Sequence, residues 1–62
     1  MNHRITEVND YLDLLIMSNT RQAKNADEKR NRTLCAVFND RVMMLEVIKK
    51  DINYILRGEQ ID

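Results

Sequence analysis

The sequence predicts an all-α fold: an antiparallel helical hairpin, the second helix longer than the first, that oligomerises into a helical bundle. From Leu34 to Leu56 there is no Gly or Pro, and Leu34, Phe38, Val42, Leu45, Ile48, Ile52 and Ile55 recur at helical rather than strand spacing. Ile5, Val8, Leu12 and Leu15 repeat in the same way nearer the amino terminus. Between them, Ser18 to Thr33 holds only Ala23 and Ala26 as apolar residues, which marks the connection.

The first helix is expected over residues 3–23. Asn2 is its candidate N-cap, and Glu7, Asp10 and Asp13 favour the positive end of its dipole. Asn25 followed three residues later by Glu28 reads as a capping box. The turn is therefore expected at 24–26 and the second helix at 27–57, with Gly58 as its stop and 58–62 as a frayed tail. One unbroken helix is the competing reading. It is disfavoured because the heptad frame of the first segment does not continue into the second. A turn at 24–26 makes facing residues sum to about 52, so that Met17 meets Cys35 and Val8 meets Met44. Ile52, Tyr54, Ile55 and Leu56 would then overhang without a mate.

Size and apolar surplus point to association. At 62 residues the chain is one domain at most. Only about 60% of the unfolded surface is buried at this length, so an isolated core is marginal. A lone Cys35 and a lone His3 supply neither an internal disulfide nor a zinc site, which leaves oligomerisation or partner binding. The composition, 44% hydrophobic and 32% charged with zero formal net charge, is that of a folded chain. No apolar run has the length of a membrane span, no signal peptide opens the chain, and the thiol is free, so a cytoplasmic protein is expected.

The apolar arc of the second helix spans roughly 160°, wider than one partner helix covers. The oligomer and core interface is assigned to Leu12, Leu15, Phe38, Arg41, Leu45, Ile48, Ile52, Ile55 and Leu56. Arg41 is the one charged residue well inside that arc. Its stem packs while its head reaches water, or it sets specificity through an ion pair across an interface, with Asp10 or Asp13 as candidates. Met43, Val47 and Tyr54 form a narrow stripe on nearly the opposite side and are assigned to a separate partner-binding surface. The basic residues Arg21, Lys24, Lys29, Arg30 and Arg32 surround the expected turn and are the candidates for phosphate contact, although no aromatic interleaves them.

Catalysis finds little support. His3 lies near the terminus, Cys35 has no neighbouring His, and Ser18 sits in no nucleophile elbow. Asp10 and Asp13 share a helix face but have no pocket to separate their pKa values. The reading is a non-enzymatic protein-binding regulator, an inhibitor or adaptor, acting as a homodimer or higher oligomer without cofactor or metal. A nucleic-acid-binding hairpin dimer using the basic turn is the alternative. In length and helix-turn-helix organisation the chain resembles the Rop-type hairpins that dimerise into four-helix bundles and bind RNA. Its seven Asn residues, Asn2 and Asn53 among them, are similar to the composition of many small phage or mobile-element proteins.

Overall fold

The computed structural model describes the backbone of residues 2–61 and the side chains of residues 4–57. Two helices pack against each other, α1 (Asn2–Glu28) and α2 (Arg32–Ile61). The side chains of Asn2, the expected cap, and His3 lie outside the described residues, as does Asp62. The molecule is one layer of helices, with extents of 49 × 16 × 8 Å. A single layer buries little. Only Leu12, Ala23 and Ala26 are buried among the described hydrophobic residues.

The turn falls at 29–31, not at 24–26. Asn25 does not cap a helix; it lies inside α1, and its carbonyl accepts from the Lys29 amide at 3.1 Å. Ala23 and Ala26 explain the displacement. Both are buried, so carrying α1 through them lets their small side chains sit where the helices converge. A loop at 24–26 would forfeit that contact.

The chain leaves α1 through a Schellman arrangement. The Asn31 amide donates to the Ala26 carbonyl at 2.8 Å and the Arg30 amide to the Asp27 carbonyl at 2.9 Å. Arg30 takes the left-handed conformation this exit demands, at φ 59°. Asn31 then caps α2, its Oδ1 accepting from the Leu34 amide at 3.1 Å. Glycine suits the Arg30 position better, because a Cβ in that region is strained. Arg30→Gly is expected to raise stability by about 0.5–1 kcal/mol in urea unfolding at fixed chain concentration, the released strain exceeding the added unfolded-state entropy. A lower midpoint would show that Arg30 is unstrained.

Two polar bridges set the register. Asn9 and Asn53 exchange hydrogen bonds through their side-chain amides at 2.9 and 2.7 Å. Each also donates to its own helix four residues back, Asn9 to the Ile5 carbonyl and Asn53 to the Lys49 carbonyl. Asp13 pairs with Lys49 at 2.5 Å. Both bridges join residues whose numbers sum to 62, so the expected register near 52 is corrected by about one and a half heptads, following the turn. Two consequences follow for the expected contacts. Met17 is exposed instead of facing Cys35, and 52–56 do not overhang: Asn53 bonds α1, and Ile52 and Leu56 are half-buried. The expected stop at Gly58 is also corrected, since α2 continues through it to Ile61.

Candidate functional site

The side of α2 that meets α1 follows a heptad. Cys35, Phe38, Val42, Leu45, Lys49, Ile52 and Leu56, spaced alternately by three and four, are all half-buried. Shifting each position back by one residue gives Leu34, Val37, Arg41, Met44, Ile48, Asp51 and Ile55, a second seam about 100° around the helix. Every residue of this seam is exposed, and its five apolar members keep between 38% and 61% of their surface. The single broad arc read from the sequence is thus two adjacent seams. One is used within the chain and one is open.

The grooves between the helices identify which broad face carries the open seam. Leu15 and Asn19 of α1 line one groove with Arg41, Met44 and Leu45 of α2. The opposite groove holds Asp13, Ile16, Glu46, Lys49, Lys50 and Asn53, where the ion pair and the amide pair lie. One face is therefore mainly apolar with Arg41 inside it, and the other is polar, crossed by the ion pair and the amide pair. Tyr11, also exposed, lies by helical spacing on the apolar side of α1.

The assigned interface residues divide between the seams. Leu12 is buried and Leu15, Phe38, Leu45, Ile52 and Leu56 are half-buried around the contact between helices, while Arg41, Ile48 and Ile55 stand on the open seam. Arg41 meets neither Asp10 nor Asp13 within the chain. Its guanidinium lies over the Phe38 ring, 5.2 Å from the centroid, and Asp13 is taken by Lys49. The Arg41 head is thereby held beside the apolar face with its charge uncompensated by any described carboxylate.

Met43, Val47 and Tyr54 are exposed at 65%, 55% and 81%, away from the contact with α1. The five basic residues are all exposed. Lys29 and Arg30 form the turn and Arg32 opens α2, whereas Arg21 and Lys24 line a separate groove with Asp13, Ile16, Met17 and Thr20. The structure spreads them over one end of the hairpin instead of collecting them on one surface.

Asp51 and the Asn9–Asn53 pair were not singled out in the sequence. Asp51 was legible as the one acidic residue in the shifted heptad. The amide pair required the register. Cys35 is free and half-buried, its Sγ accepting from Asn39 Nδ2 at 3.5 Å. Among the described residues no three His, Cys, Asp or Glu side chains gather as metal ligands do, and no helix is long and apolar enough to cross a membrane. Comparison with protein-family models, curated proteins and solved structures gives no match.

Proposed function

We propose that the chain is a non-enzymatic protein-binding regulator, an inhibitor or adaptor, that works as a helical homo-oligomer. The observation that carries this reading is the open heptad seam of α2. A helix in an isolated hairpin needs one apolar seam; a helix in a bundle meets two neighbours and needs two, roughly at right angles. Contiguous exposed apolar residues of this kind mark protein contacts. The polar groove is a poor candidate for chemistry, since Asp13 and Lys49 pair with each other and the two Asn amides satisfy one another. Met43, Val47 and Tyr54, outside both seams, are the surface proposed for a further protein partner.

Light scattering on a size-exclusion column at micromolar chain concentration is expected to give at least a dimer. A folded monomer there overturns the reading. Binding to mixed RNA and DNA fragments at several salt concentrations tests the competing use of the basic turn. High affinity falling steeply with salt, with a slope flattened by joint replacement of Arg30 and Arg32 with Ala, would make nucleic acid the partner. Negligible binding at physiological salt is the expected result.

A further inference from the structure

The open seam carries its own pairing code. Arg41 and Asp51 are its two charged members, ten residues apart, so about 15 Å of helix separates them and they cannot pair within one α2. They stand at unlike heptad positions, and antiparallel helices bring unlike positions into the same layer. We propose that the occupant of this face is a second copy of the chain, docked antiparallel along α2, with Arg41 of each copy paired to Asp51 of the other. This rests on the homo-oligomer reading above and adds to it a specific register.

The arithmetic of the seam supports one register over its neighbours. Facing residues that sum to 92 set Arg41 against Asp51, Met44 against Ile48 and Val37 against Ile55, each pair occurring twice by symmetry. Apolar meets apolar and charge meets opposite charge throughout. Slipping by one heptad in one direction sets Arg41 against Met44, and in the other it sets Asp51 against Ile48; either leaves a charge desolvated and unpaired. A parallel, in-register pairing sets Arg41 on Arg41 and Asp51 on Asp51. Only the antiparallel register summing to 92 satisfies both charges. The stacking of Arg41 on Phe38 helps, because a guanidinium already held in place loses less freedom on pairing. The hairpin register of 62 puts position 16 of α1 level with the symmetry axis, and its neighbour Leu15 lies on the same apolar face.

Charge exchange on the full-length chain tests this. Arg41→Glu alone sets two acids against each other at both ends of the seam, and Asp51→Arg alone sets two bases. Each is expected to raise the dimer dissociation constant about tenfold or more, with helicity by circular dichroism retained at high chain concentration. The double exchange is expected to recover the native value. An equimolar mixture of the two single variants is expected to form a heterodimer tighter than either homodimer, because both of its pairs are then of opposite charge. A dimer that is indifferent to all three variants overturns the register and leaves self-association standing. A native chain that stays monomeric at micromolar concentration overturns both.

Discussion

Leu12→Ala is expected to cost about 2–4 kcal/mol of stability, a large fraction of what a chain of this length has. The reason is how little else is buried. Of the three buried hydrophobic residues described, Leu12 is the only large one, at 6% exposure; the other two are alanines. A Leu to Ala change removes both the transfer free energy of three carbons and the contacts of the cavity lining. In a larger domain neighbouring layers compensate. Here the hairpin is one layer thick, and a domain of this length has a total stability of only about 3–9 kcal/mol. Urea unfolding followed by far-ultraviolet circular dichroism, at several chain concentrations, measures the loss and separates it from altered assembly. A loss under about 1 kcal/mol would place the stabilising core elsewhere, in contacts between chains.

The elements of the fold could be read from spacing alone, because the apolar periodicity of both helices survives in the structure. The turn could not. The spacing of Asn25 and Glu28 matches a capping box, yet the residue that caps α2 is Asn31, six positions further on. What decided between them was tertiary: burial of Ala23 and Ala26, which helix propensity and cap patterns do not contain. The exit from α1 also lacks the expected signal, since Arg30 instead of glycine occupies the left-handed position.

That displacement of about one helical turn passed into every expected contact between helices, because facing residues are counted from the turn. It created the apparent overhang of Ile52, Tyr54, Ile55 and Leu56 and hid the pairing of Asn9 with Asn53. The candidate site suffered less. Of the open seam, Arg41, Ile48 and Ile55 follow from angles around a single helix, which do not depend on where the turn lies. Two seams one residue apart merge into one wide arc when only apolar residues are marked. The separation appears only when burial distinguishes Leu45 from Met44 and Ile52 from Asp51.

Ile48→Asp is expected to abolish self-association at micromolar concentration, raising the dissociation constant about a hundredfold or more. Ile48 is 38% exposed in the single chain, on the open seam and outside the contact with α1, so an aspartate there keeps access to water in an isolated hairpin. The local cost is then that of a surface change in a helix, about 0.5 kcal/mol. In the antiparallel pair the same carboxylate faces Met44 of the other copy, next to the symmetry axis, and the symmetry introduces it twice. Neither Arg41 of the same chain, about 10 Å away along the helix, nor that of the other copy, already committed to Asp51, is placed to neutralise it. Sedimentation velocity across a concentration series reads the shift in assembly, and circular dichroism at the highest concentration reads the fold. Replacing Val47 and Tyr54 with Ser provides the contrast, since that stripe lies off both seams: dimerisation should be unchanged, with loss confined to binding of a further partner. If Ile48→Asp leaves the dimer intact while the Val47 and Tyr54 replacements dissolve it, the chain associates through the outer stripe and the open seam is left for another protein.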